Sequence, residues 1–229
     1  MLKKTLSVTG VVLFLFVLQS CQQKPEQDIL KRYFHAVSLN DVTTMSTIAL
    51  EPVAMEMESW KIVKVEEEKV ESAALPGLDK IEKEYKKKVE NHVGPTVEAD
   101  DALYEAKEKL ATARTRAARR AAQKEVDAAQ IKFDEEREIH RQIQKSYNEV
   151  KAAAVREEEI SIFSLGAGEL PNIRDMEGEI HSKTVEVEIK SKTGIKRYNF
   201  MIRKYVLKDE TLNRTRRGRW IIVNIKPLD

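Results

Sequence analysis

The chain has 229 residues, enough for one substantial domain plus an appendage. Charged residues make up 34% of it and aromatics only 6%, a balance that points to long solvated helix more than to compact core. A formal net charge of +2 argues against a nucleic-acid partner, and a single cysteine, Cys21, excludes an intrachain disulfide.

The N-terminus reads as an export signal. Met1-Leu2-Lys3-Lys4 is a short basic segment, and Val11 to Leu18 is an unbroken apolar run. That run falls well short of the ~20 residues a bilayer-spanning helix needs, so a cleaved leader is the better reading. Leu18-Gln19-Ser20-Cys21 closes it with a small residue before the only cysteine. The segment resembles a bacterial lipoprotein signal of lipobox type. The resemblance implies cleavage before Cys21, a diacylglycerol on its sulfur and an acyl group on the new α-amine. Two or three acyl chains, at ~0.8 kcal/mol per buried methylene, would hold the membrane stably. The expected location is the bacterial cell envelope. Gln22, where Asp would imply inner-membrane retention, favours the outer membrane facing the periplasm.

After a polar tether to about residue 27, Ile29, Leu30, Tyr33, Phe34 and Val37 recur at helical spacing, with Asp28 as a candidate N-cap. Asn40-Asp41 breaks the pattern and can cap a second helix carrying Val42, Met45, Ile48 and Ala49. Trp60, Ile62, Val63, Val65 and Val70 are read as one strand. Seven glutamates between Glu51 and Glu71 face a basic C-terminal third, which suggests cross-strand charge pairing.

From about 78 to 157 the composition shifts to Ala, Glu, Lys and Arg, broken only at Gly94-Pro95. Ala99, Leu103, Ala106, Leu110, Ala113 and Ala117 are spaced 4-3-4-3-4, a heptad seam. A second seam, out of phase with it, runs through Val126, Ala129, Phe133, Ile143, Tyr147, Val150 and Ala154. A straight helix from Thr96 to Glu157 would be ~90 Å long, while both ends of the segment should return to one body. The expectation is an antiparallel helical hairpin turning at about 115–123, kinked at Gly94-Pro95; a continuous helix overshooting the body is the alternative.

Beyond Pro171 the period becomes two. Val185, Val187 and Ile189 alternate with charged residues, and Tyr198, Phe200 and Ile202 follow after Gly194. Asp209 to Gly218 reads as a polar hairpin loop, and Trp220 to Ile225 as the final strand. The fold class is α+β: N-terminal helices packed on an antiparallel sheet, with an inserted, coiled-coil-like antiparallel α-helical hairpin.

Ile29-Leu30-Lys31-Arg32-Tyr33-Phe34-His35-Ala36, the break at Asn40-Asp41 and Gly218-Arg219-Trp220-Ile221-Ile222-Val223 carry a resemblance to the nuclear transport factor 2-like superfamily, which includes small bacterial lipoproteins. It covers the two ends of the chain and omits the insertion. The division that follows is a signal peptide at 1–20, a lipidated tether at 21–27, a nuclear transport factor 2-like domain at 28–75 and 160–229, and the hairpin insertion at 76–159. The resemblance implies a cone-shaped sheet with a pocket, used by enzymes and binding modules alike.

Catalytic signals are sparse. The four histidines form no metal-spaced cluster, and neither a phosphate-binding glycine loop nor a serine nucleophile elbow is present. No catalytic residue, metal or cofactor is assigned; His35 and Asp41 are the weak pocket candidates. Arg114, Arg116, Arg119 and Arg120 crowd the expected hairpin tip, where guanidinium groups suit anionic or protein partners. Arg214, Arg216, Arg217 and Arg219 form a second basic group that could meet anionic headgroups at ~1 kcal/mol per charge. The expected function is a non-enzymatic, membrane-anchored scaffold whose hairpin binds an envelope protein or a second copy. Two alternatives are a ligand-binding or catalytic cone with the insertion as a lid, and an adaptor of an envelope transport system.

Overall fold

The computed structural model describes residues 24–166, 168 and 170–228; the segment read above as an export signal, Cys21 and Gln22 lie outside them. Among the described residues the fold is α+β: four helices, two of them a long hairpin, pack against a curled antiparallel sheet. Helix α1 spans Pro25–Ser38 and α2 spans Val42–Ile48. Strands β1 (Ser59–Val65) and β2 (Lys69–Ser72) lead into the hairpin, α3 (Leu75–Thr112) and α4 (Arg116–Leu165). A 3-10 turn at Ile173–Asp175 precedes β3 (Glu177–Ser191), β4 (Gly194–Asp209), β5 (Arg214–Arg217) and β6 (Ile221–Leu228).

Helix α1 starts four residues earlier than an N-cap at Asp28 implies, because Pro25 supplies the first-turn φ and Asp28 joins Glu26 as an acidic residue in that turn. Residues 25–27 are therefore helix and not tether. The single strand expected over 60–70 is two, since residues 66–68 leave the ladder between β1 and β2. Both still pair with β3, at different ends: Trp60 lies opposite Ile189 and Val70 opposite His181. β4 likewise holds β6 along its first half and β5 along its second. The expected loop at 209–218 thus contains a short strand.

One-sided burial, expected for this sheet, holds only locally. Val185, Val187, Ile189, Phe200 and Ile202 face α1 and α2 and share a core with Leu30, Tyr33, Phe34 and Met45. Past the middle of each long strand the buried phase shifts by one residue. Ile180, Tyr205 and Leu207 then point to the opposite face, into a second core with Leu75, Ala154, Ile160 and Ile173 at the hairpin root. β6 serves both, with Ile222 in the first core and Ile221 and Val223 in the second. Bulges at Ile62/Lys64 and Met201/Ile202 add to the curl. Gly178 sits at φ 152°, where a Cβ would strike the Val206 carbonyl, so β3 and β4 approach too closely there for any side chain.

Cross-strand charge pairing is present but mostly between other partners than the acidic stretch suggests. Glu58 reaches Lys190 at 4.0 Å, while Arg197 pairs with Glu186 (3.2 Å) and Glu188 (3.6 Å) inside the β3–β4 ladder. Glu68 instead binds His181 (2.7 Å) and Lys183 (3.2 Å). The His181 contact, ahead of Lys183, holds the Glu68 carboxyl below its usual value.

Candidate interaction site: the helical hairpin

The two arms are far longer than any other element, 38 and 50 residues, or about 57 and 75 Å at 1.5 Å per residue. α3 runs as one helix through Gly94-Pro95, where the sequence led us to expect a kink, with Pro95 inside it. Pro95 has no N–H to offer the Asn91 carbonyl. One residue on, the Thr96 hydroxyl donates to the His92 carbonyl at 2.9 Å and keeps that neighbouring group satisfied.

The turn occupies Ala113, Arg114 and Thr115, mostly ahead of the expected 115–123 and sharing only Thr115 with it. It needs no glycine. Thr115 accepts from the Ala118 amide at 3.2 Å as the N-cap of α4. The Arg119 side chain folds back and donates Nε–H to the Ala113 carbonyl at 3.1 Å, satisfying the end of α3. The sequence signal for this turn was the threonine.

Ala99, Leu103 and Ala106 of the first seam are buried, with Leu110 and Ala113 partly so, while Ala117 is exposed because it follows the turn. On α4 the inward positions are Ala122, Val126, Ala129, Phe133, Glu136, His140, Ile143, Tyr147, Val150 and Ala154, one unbroken 4-3 alternation. Glu136 and His140 fill the gap left by an apolar reading. At their level His92 meets Glu136 at 3.2 Å, and the rings of His92 and His140 lie 5.8 Å apart. His140 Nδ1 is buried there with no hydrogen-bond partner.

The root is fixed by polar contacts that join segments far apart in sequence. Arg174, in the 3-10 turn, holds Glu82 and Asp79 of α3 (2.8 and 3.5 Å) and Glu158 of α4 (2.8 Å). The hydrogen bond to Glu158, ahead of the one to Glu82, raises its already high pKa. Tyr205 donates its phenol proton to Glu157 at 2.7 Å; burial first, then that carboxylate, pushes the phenol above its usual value. Ser164 donates to the Arg219 carbonyl (2.8 Å) and accepts from the Tyr205 amide (3.2 Å), tying the end of α4 to β4 and the start of β6.

The eight candidate arginines do not converge. Arg114, Arg116, Arg119 and Arg120 are exposed at the tip, and the nearest ion pair is Lys109–Glu125 at 3.4 Å, one turn below. The others lie on the body. Arg216 is bound to Asp209 (3.3 Å) and Arg219 lies over the Phe163 ring (5.3 Å), leaving Arg214 and Arg217 as the exposed members of β5.

The weak pocket candidates are also apart. His35 is on the exposed side of α1, and Asp41 caps α2 by accepting from the Thr44 amide at 3.0 Å. The Thr44 hydroxyl and then its amide hold the Asp41 carboxyl below its ordinary value. The concave side of the sheet is filled: Tyr33, Phe34 and Phe200 form edge contacts, and Trp60 stacks on Phe34 at 4.6 Å. A groove of about 510 Å³ beside it is lined by Val37, Asn40, Met55, Met57 and Lys192, and includes neither candidate. Among the described residues no group of three or more His, Cys, Asp or Glu side chains could hold a metal ion. No described helix is long and apolar enough to cross a membrane.

No protein-family model, curated protein or solved structure matches this chain. The shape of the curled sheet and its helices is compatible with a nuclear transport factor 2-like body.

Proposed function

We infer that this chain is a lipid-anchored protein of the bacterial envelope whose nuclear transport factor 2-like body presents the hairpin to a protein partner, without catalysis of its own. The observation that carries this reading is the contrast between the hairpin's two ends. The root is clamped to the body by Arg174, Glu157 and Ser164, whereas the tip exposes arginines that none of the body's acidic groups reaches. Exposed guanidinium groups on a rigid pair of helices suit bidentate recognition of carboxylates. The aromatic filling of the sheet's concave side leaves His35 and Asp41 without a pocket to serve, which weighs against the lid reading.

The test is crosslinking in intact cells from a photoreactive residue at position 117, beside the turn. A discrete adduct is expected, lost when Arg114, Arg116, Arg119 and Arg120 are changed together to Ser. In the same cells Cys21→Ser should move the protein from the membrane to the soluble fraction. Absence of any discrete adduct from a well-exposed position 117 would overturn the interaction reading; membrane retention of the Cys21→Ser protein would overturn the anchor.

A further inference from the structure

Charge is divided along the hairpin. Between residues 107 and 124, the far end of both arms and their turn, seven lysines and arginines stand against one acidic residue, Glu108. Immediately behind, residues 98–105 of α3 and 125–138 of α4 carry ten acidic residues against two basic ones, Lys132 and Arg137. The two acidic stretches lie side by side, because the arms are in register through His92–Glu136 and Lys109–Glu125. They form an acidic collar directly below a basic tip.

An apolar stripe lies within the same region. Val97, Tyr104 and Ala111 are seven residues apart and so share one face of α3. Val97 is 51% exposed and Tyr104 64%, outside both cores of the body. The stripe runs from the collar to the tip with Tyr104 at its centre.

We propose that two copies of this chain associate through their hairpins, antiparallel and staggered, with each basic tip lying on the acidic collar of the other copy and a two-fold axis near Tyr104. This rests on reading the hairpin as the interaction element and names its partner. One rod carries both complementary surfaces next to each other, which is the arrangement an isologous contact requires. A parallel pairing would set tip on tip and collar on collar, and juxtaposed like charges oppose it. The antiparallel pairing satisfies both tips at once. With the axis at Tyr104, Val97 lies opposite the second copy's Ala111, so a larger side chain faces a smaller one. The midpoints of tip and collar are separated by a dozen or so residues, about 20 Å along the helix. That shift is small enough for a continuous overlap of the outer halves of both hairpins.

The test uses the full chain in intact cells with Tyr104→Cys. Mild oxidation should give a disulfide-linked band of twice the mass, absent from the protein with tyrosine at 104. Reversing the tip (Arg114→Glu, Arg116→Glu and Arg120→Glu) should lower that band about tenfold, as should reversing the collar (Asp100→Lys, Asp101→Lys and Asp134→Lys). Co-expression of the two reversed chains should restore a mixed band, because the intact basic tip of one then lies on the intact acidic collar of the other, while the second contact, with its altered tip and collar both brought close to neutral, no longer opposes it. All six positions are on the solvent side of the hairpin, and helical circular dichroism of each chain confirms that it folds. A strong band unaffected by either reversal, or no mixed band, would overturn tip-on-collar pairing. No linked band at all, together with a discrete adduct to a different protein from position 117, would overturn the self-pairing while leaving the proposed function standing. Silence in both experiments would remove both.

Discussion

Arg174→Met isolates the joint between body and hairpin. Methionine keeps much of the side-chain stem but removes a guanidinium that touches α3 and α4 at once. A charge-assisted hydrogen bond contributes about 1.5–3 kcal/mol, and breaking a buried ion pair costs about 3–5 kcal/mol. The guanidinium is 29% exposed and Glu158 30%, so solvent screening brings the expected loss down to about 2–3 kcal/mol. For a chain of this size that is a fall in Tm of about 6 °C. The assay is urea unfolding followed by helical circular dichroism, with the slope m compared between the two proteins. The cost comes from carboxylates left facing one another, Glu82 and Glu158, with Asp79 still holding Lys83. A loss below about 0.5 kcal/mol at pH 7 is what an ordinary surface substitution gives and would refute the clamp.

Two further outcomes concern the body. Phe200→Ala empties the space between Tyr33 and Phe34 and should cost about 3–5 kcal/mol in the same urea assay; a loss under about 1 kcal/mol would mean that the aromatics do not fill the sheet's interior. Asp41→Ala removes the α2 cap, whose carboxyl is held below its ordinary value by Thr44. A lowered carboxylate pKa gives stability that is fully present above about pH 4 and disappears as pH falls through the lowered value. The Tm gap between the two proteins should therefore be largest near neutrality and close as pH falls through the lowered value. An equal gap at both ends would refute the cap.

Periodicity made most of the architecture legible. The two seams placed both arms, and the alternation at Val185, Val187 and Ile189 placed the face that α1 covers. The shift of burial to Ile180, Tyr205 and Leu207 was not legible, because it depends on the hairpin root returning to the opposite face of the sheet. Glu136 and His140 escaped an apolar template although they sit squarely in the seam. The turn escaped a search for glycine and proline because Thr115 and Arg119 close it with side chains. The root contacts were hidden for a simpler reason. Arg174 lies 92 residues from Glu82, and no local pattern links them. The tip arginines could be read as a group from sequence alone, whereas Arg216 and Arg219 stood out as basic residues and turned out to be occupied within the body.

The double duty of β6 bears on when the molecule can become itself. Ile222 completes the core under α1, an element made near the start of the described chain, and its neighbours Ile221 and Val223 complete the core under the hairpin root. Neither can close until every intervening element, including the whole hairpin, has been synthesised. The outer hairpin can zip early from its own local contacts, but the body has no early half that folds alone. Loop closure across so long an interval is slow and comes late. A polypeptide that must be threaded through a membrane before it collapses would gain from that delay, since its topology postpones the body's closure without help from any other factor.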